Sequence, residues 1–369
     1  MANERFTIGI CCVRYRTGKV RLHTHSVVRA VDGACVARLA GIAVCVVLLA
    51  SAQRVYGQTG TPNAVLTTPH FAFYSDFATN LNQTLISDFV ARRDKRPGLF
   101  ETGADKSCFD VLPSTARDGW GRAVEYYRTN KANPGQTLLL RLELAGLVER
   151  AKLDDPESRA VLDAFARARD DAGPAYRACK WSAQDAANRA WVGRLEPLLR
   201  THANGLAEQL PKLFQAGWRF LPFRVDVVDY VGFANGNSAS ERSGRFHILV
   251  SSTHRDSQGH SAIELVFHEA AHSLAQPGGP LSNALNGAAK TAGVTLPRDI
   301  LHQVHFFIAG EAVRRSFQRA GETYTPYLYS LSMFSEGFRN AVGRIWPAYI
   351  DGSRTLDEAA TELVAAFKQ

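Results

Sequence analysis

The chain has 369 residues, of which 46% are hydrophobic and 21% charged, a composition typical of globular protein that excludes a fibre or a disordered chain. The formal net charge is +8, but residues 1–52 contribute +5 of it through seven basic and two acidic side chains. The remaining +3 gives little electrostatic reason to expect nucleic acid as a partner.

The first predicted element is an export signal. The uncharged segment from Leu39 to Gln53 follows Arg38 and ends in Ala50-Ser51-Ala52, a small-x-small pattern typical of signal peptidase sites. Its apolar run of about 14 residues is shorter than the roughly 20 that span a bilayer. We therefore predict a signal peptide over residues 1–52, with an uncleaved anchor as the alternative. Cleavage would leave a periplasmic or secreted protein with no stable membrane span.

Two cysteines remain after the leader, Cys108 and Cys179. In an oxidising compartment such a pair is usually bridged, so we predict a disulfide, with two buried thiols as the alternative.

The rest of the chain divides into a linker, residues 53–66, and two regions. Residues 67–220 begin with an alternating aromatic strand, Thr68 to Ser75, and are otherwise dominated by helical patterns. Residues 221–369 begin with two strand patterns, Phe223 to Tyr230 and Phe246 to Ser251, separated by a predicted turn at Asn235-Gly236-Asn237. Helical patterns then run to the C-terminus. This order predicts an α+β fold, mostly helical with a small sheet.

A metal-binding motif lies in the first helix after these strands. Ser261-Ala262-Ile263-Glu264 has the form of a capping box, and the helix contains His268-Glu269-Ala270-Ala271-His272. Two histidines four residues apart project from one helix face, so both imidazoles can bind one zinc ion. Glu269 can then act as the general base that activates the attacking water. The alternative is two histidines without a metal.

Glu264 lies one helical turn before His268. It either caps the helix, which we favour, or orients His268.

A catalytic zinc usually takes three protein ligands, so a third residue is needed. In the helical pattern that follows Pro297, Glu311 lies on an apolar stripe with Ile308, and Gly310 allows a close approach of the two helices. A buried carboxylate needs a partner, and zinc is a suitable one. We predict Glu311 as the third ligand, with His305 as the first alternative and His302 as the second. Without a metal, Glu311 would pair with Arg314 or Arg315.

The HEAAH motif followed by Gly310-Glu311 resembles the gluzincins, the thermolysin-like zinc peptidases whose HExxH helix is completed by a glutamate on a second helix. The resemblance covers residues 223–329 and implies hydrolysis of a peptide or protein substrate. It also implies that the strand Phe246 to Val250 pairs with the substrate, and that a Tyr or His stabilises the oxyanion. We choose Tyr324 for that role over Tyr327 and His305.

Two departures from the gluzincin pattern are visible in the sequence. The gap of 39 residues between His272 and Glu311 is longer than in thermolysin-like enzymes. Arg315 stands where those enzymes carry an acid four residues after the glutamate ligand. The residue that orients the histidines is therefore unassigned. The connection Gln276 to Leu296 is predicted to be a lid or a long surface loop.

The sequence thus predicts an exported, zinc-dependent metallopeptidase. The alternative is an inactive zinc-binding or interaction module of the cell envelope. A structural protein with a fortuitous motif is a third reading, which predicts no metal in the purified chain.

Overall fold

The structure is a computed structural model that describes residues 63–129, 156–232, 235–240 and 246–367. The predicted signal peptide and most of the predicted linker lie outside these ranges. Within them, no helix is both long enough and apolar enough to cross a bilayer.

The described strands form one mixed five-stranded sheet with the order β1-β2-β3-β5-β4. Its strands are β1 (Leu66–Thr67), β2 (Phe71–Tyr74), β3 (Phe223–Val228), β4 (Gly236–Ser240) and β5 (Phe246–Ser251). β2, β3 and β5 are parallel, whereas β1 and β4 run antiparallel to their neighbours at the two edges. Together with the many helices, this sheet confirms the predicted α+β, mostly helical fold.

β2, β3 and β5 form where the sequence predicts strands, whereas β1 was not predicted and one prediction between β3 and β5 fails. Phe223, Val225 and Val227 point to the face that packs against helices, as the alternation predicts. The wrong prediction is the turn at Asn235-Gly236-Asn237. β4 begins at Gly236, which pairs with Val250 of β5, so pairing with a neighbouring strand overrides the local turn preference.

The described part of the chain contains eleven α-helices and one π-helix. The α-helices are α1 (Phe77–Arg93), α2 (Gly103–Asp110), α3 (Ser114–Thr129), α4 (Pro156–Tyr176), α5 (Ser182–Phe214), α6 (Ser261–Ala271), α7 (Pro280–Ala292), α8 (Ile300–Arg319), α9 (Tyr327–Ser330), α10 (Glu336–Ile350) and α11 (Leu356–Ala366). The π-helix, Arg177–Trp181, joins α4 to α5. Helix α7 occupies the connection that we predicted to be a lid or a loop, so that prediction is wrong. The helix starts with Pro280. Gly293, which follows its last residue, adopts the left-handed conformation (φ 64°) that commonly terminates helices.

The buried apolar residues form two main clusters. One contains residues of α1, α3 and α4, and the other joins β2, β3 and β5 to α5, α6, α8, α10 and α11. Phe71 and Phe73 of β2 belong to the second cluster, so the predicted region 67–220 contributes to both cores. The predicted disulfide is confirmed: Cys108 of α2 is bonded to Cys179 of the π-helix, beside the first cluster.

Candidate metal centre

Helix α6 carries the HExxH motif in the interior of the protein. All its residues from Ala262 to Ala271 are buried, because it packs against β4 and β5 on one side and α5 and α8 on the others. The predicted capping box is wrong. The helix follows His260, whose side chain caps nothing, and Glu264 accepts its hydrogen bonds from residues beyond α8.

Three histidines converge at this helix. His268 and His272 of α6 and His305 of α8 each offer one ligand atom, and these atoms lie within 4.8 Å of one another. The ring centroids are 5.0 Å apart for His268 and His272, and His305 is 4.3 Å and 4.2 Å from them. His268 and His305 are buried, whereas the side chain of His272 is 32% exposed. The cluster therefore opens to solvent at His272.

The cluster is neutral near pH 7. Burial, reinforced by the neighbouring imidazoles, holds the pKa values of His268 and His305 well below their ordinary range. Burial also lowers the pKa of His272 to about 3. A neutral imidazole has a free lone pair, so all three side chains are in the form that binds metal ions.

The hydrogen bonding of the cluster fits a metal ion. The Nδ1 atoms of His268 and His305 are buried and have no hydrogen-bond partner among the described residues. His305 Nε2 donates to the backbone carbonyl of His268 over 2.9 Å, which leaves the lone pair on its Nδ1. Such a bond through the other ring nitrogen is what usually orients a ligating histidine. Buried nitrogens without partners are costly, and the cluster could satisfy them by holding a metal ion.

Glu311 lies outside this cluster, which corrects the prediction that it is the third ligand. Arg314 donates to both of its carboxylate oxygens over 2.7 Å and 2.6 Å, and Arg315 donates to one over 2.7 Å. Burial opposes its charge, but these guanidinium groups prevail and lower the pKa of Glu311. The non-metal alternative, an ion pair, is therefore what Glu311 forms, and the group that could hold a metal ion contains His305 instead.

Glu269 lies beside the cluster as an almost fully buried carboxyl group. Its Oε2 is 4.0 Å from His272 Nε2, an imidazole that is neutral near pH 7. Burial raises the pKa of Glu269 to about 7. A carboxyl group with that pKa can take up and release a proton near neutral pH, which a general base requires.

Glu264 is a second buried carboxyl group, one helical turn before His268. It accepts a hydrogen bond from the hydroxyl of Tyr324 over 2.6 Å and from the backbone N–H of Tyr327. The hydroxyl of Tyr324 is thus bound to Glu264, which corrects its predicted role as an oxyanion donor. The prediction for Gly310 is confirmed, because a Cβ there would lie 2.9 Å from Glu264 Oε1.

Replacing Glu264 by glutamine is expected to change how stability depends on pH. Burial raises the pKa of Glu264 to about 8 from its ordinary 4.5, so between these values the folded protein keeps a proton that the unfolded chain has lost. The free energy of unfolding then falls as pH rises through this window, by at most about 1.4 kcal/mol per pH unit. Urea unfolding at pH 5, 6.5 and 8 measures it. The stability of wild type relative to Glu264→Gln should fall with pH, whereas Glu336→Gln, at an exposed site, should track wild type. A difference that does not vary with pH would contradict the shifted pKa.

A fourth histidine stands at the open side of the cluster. The exposed ring of His302 is 5.1 Å from that of His272 and 5.6 Å from that of His268, but its nitrogens are not part of the ligand group. Phe306, one turn further along α8, packs on His268 with a centroid distance of 4.1 Å. Phe306 was not among the predicted site residues, although its spacing of four residues from His302 places both on one face of α8.

Comparison with models of protein families gives no match. Searches against curated proteins and against solved structures give none either.

Proposed function

We propose that the chain is an exported zinc-dependent peptidase in which His268, His272 and His305 hold the ion and Glu269 is the general base. One observation carries the proposal: a neutral cluster of three histidines lies beside Glu269, a buried carboxyl group whose pKa of about 7 lets it exchange a proton near neutral pH. Metal binding alone does not require Glu269, so its place in the site favours hydrolysis over an inactive zinc-binding module.

Zinc is the metal that this donor set and motif favour. Three imidazole nitrogens and an open fourth position are typical of catalytic zinc sites, and the spacing of His268 and His272 is that of zinc hydrolases. Bound zinc would supply polarisation of the substrate carbonyl and a lower pKa for the attacking water.

The residues of the chain supply the proton transfers and the orientation. Glu269 takes a proton from the water and can return it to the leaving amine, since burial places its pKa close to neutrality. His305 keeps its Nδ1 directed away from the backbone because its Nε2 is bound to the carbonyl of His268. The exposure of His272 and His302 gives a substrate access to this side of the cluster.

The strand proposed to bind the substrate is β4, whereas the sequence led us to expect β5. β5, which was expected to pair with the substrate, is hydrogen-bonded to β3 on one side and to β4 on the other. β4 is the edge strand, and its Gly236 lies against the side chain of Glu269. We propose that an extended peptide adds to the edge of β4 that pairs with no described strand, next to the general base.

The proposed location outside the cytoplasm is supported by the Cys108–Cys179 disulfide. Disulfides persist in oxidising compartments, and the segment before Gln53 has the pattern of a secretion signal.

Elemental analysis of protein expressed from Gln53 tests the proposal. We expect about one zinc per chain, and its loss in His268→Ala, because that variant removes one of three ligands. Peptide-library cleavage by the zinc-loaded protein then tests the activity. Wild-type protein without bound metal would contradict the zinc site, and zinc-loaded protein that cleaves no peptide would favour the inactive module.

A further inference from the structure

Tyr327 connects the segment after α8 to the helix that carries the metal-binding motif. It is the first residue of α9 and is only 4% exposed. Its backbone N–H donates to both carboxylate oxygens of Glu264, over 3.2 Å and 3.1 Å. The position of its side chain is therefore fixed relative to α6.

The hydroxyl of Tyr327 contacts two further segments. It accepts a hydrogen bond from Asn235 Nδ2 over 3.2 Å, and Asn235 is the residue immediately before β4. It also lies 3.0 Å from the carbonyl oxygen of Ser261, at the start of α6, and contacts the carbonyl oxygen of Asp256. One buried hydroxyl thus joins the beginning of the edge strand to the beginning of the motif helix.

The strand held in this way lies against the proposed general base. A Cβ on Gly236 would be 2.9 Å from Glu269 Oε1 and 2.5 Å from a methyl carbon of Leu265, so the backbone of β4 approaches α6 closely there. The carbonyl of Asn235 accepts from the N–H of Ser251 over 2.9 Å, which extends the pairing of β4 with β5 to this residue. A shift of Asn235 would therefore move β4 relative to Glu269.

From this geometry we infer that Tyr327 is a positioning residue. Its hydroxyl holds the edge strand β4 in place relative to α6, and thereby sets where a peptide bound along β4 lies relative to Glu269. The part of the inference that concerns the peptide rests on the proposed function. The part that concerns the strand does not.

Tyr324 offers a matched control on the same segment. Its hydroxyl donates to Glu264 over 2.6 Å, and no hydrogen bond joins it to residues 235–240 as far as the structure describes them. Both Tyr327→Phe and Tyr324→Phe remove one buried hydroxyl near Glu264, but only the first removes the link to Asn235. Asn235→Ala removes the same link from the other side and replaces the first variant if Tyr327→Phe does not fold.

Amide hydrogen exchange on the full zinc-loaded chain tests the inference. We expect Tyr327→Phe and Asn235→Ala to accelerate exchange in β4 about tenfold, the effect of one lost hydrogen bond, with β3 unchanged. Tyr324→Phe should leave β4 exchange within about twofold of wild type. Zinc content should be the same in all variants. Unchanged exchange in both link variants, or equal acceleration in Tyr324→Phe, would overturn the inference.

Steady-state kinetics separates this inference from the proposed function. If β4 binds the peptide, Tyr327→Phe should raise KM about five- to tenfold and change kcat less than twofold, because the displaced strand weakens binding. A lower kcat with unchanged KM would overturn the role in substrate positioning. If the wild-type protein cleaves no peptide, the proposed function fails, while the exchange experiment still decides whether Tyr327 holds β4.

Discussion

Glu269→Gln is expected to lower kcat by about 10²- to 10⁴-fold while the protein keeps about one zinc per chain. Glutamine has nearly the same shape as glutamate but cannot accept the proton of the attacking water. His268, His272 and His305 are unchanged in this variant, so the metal site should stay intact. The measurements are kcat on a cleavable peptide and zinc content by elemental analysis.

The control for this prediction is Glu336→Gln, at an exposed position in the first turn of α10. It should leave both kcat and zinc content unchanged. A Glu269→Gln variant that keeps full activity would remove Glu269 as the base. Loss of zinc together with activity would instead assign Glu269 a part in metal binding.

The second large effect is expected from the third ligand. His305→Ala should lower zinc affinity by at least about 100-fold, because even residues that only orient a ligand usually contribute 10- to 100-fold. Glu311→Ala should change zinc affinity less than about threefold, since its carboxylate is bound by Arg314 and Arg315. Competition with a chromogenic chelator measures both affinities.

Glu311→Ala should nevertheless affect the fold. Its removal takes away the partner that Arg314 and Arg315 share. Because Arg315 keeps its ion pair with Asp351 and Arg314 is 37% exposed, the cost is about 1 kcal/mol in the free energy of unfolding. Urea denaturation of the metal-free protein measures this cost. If Glu311→Ala weakens zinc binding more than His305→Ala does, the assignment of the third ligand returns to Glu311.

The parts of the structure that local sequence determines were predicted well. β5 spans the predicted residues, and the motif helix starts at Ser261 as predicted, although without the capping box. Each of these elements is specified by the periodicity of its own short segment, so the local sequence is sufficient to predict it. The disulfide between Cys108 and Cys179 was also predictable, since no other cysteine follows residue 52.

The third ligand was not determined by local pattern. Periodicity placed Glu311 on a buried face of α8, and it is buried, but so is His305. The rotation of α8 against α6, with Gly310 touching Glu264, brings His305 to the motif histidines. A usable signal was present in the sequence: arginines three and four residues after Glu311 are suitably spaced to bind its carboxylate.

The roles of Tyr324 and of the edge strand depended on contacts between distant segments. Tyr324 meets Glu264 across 60 residues of chain, and β4 exists as a strand because it pairs with β5. Neither contact leaves a periodic signal, so the oxyanion role rested on the gluzincin resemblance and the turn on local propensity.

The connectivity of the sheet determines when the metal centre can form during synthesis. β2 pairs with β3 between Phe71 and Phe223, so the parallel centre of the sheet cannot form until residues beyond 223 have been made. α6 and α8 follow later still. The nascent chain therefore lacks the parallel centre of its sheet for more than half of translation. His268, His272 and His305 can meet only once at least 305 of the 369 residues have been made, so a metal ion would bind the cluster in the compartment in which the chain completes folding.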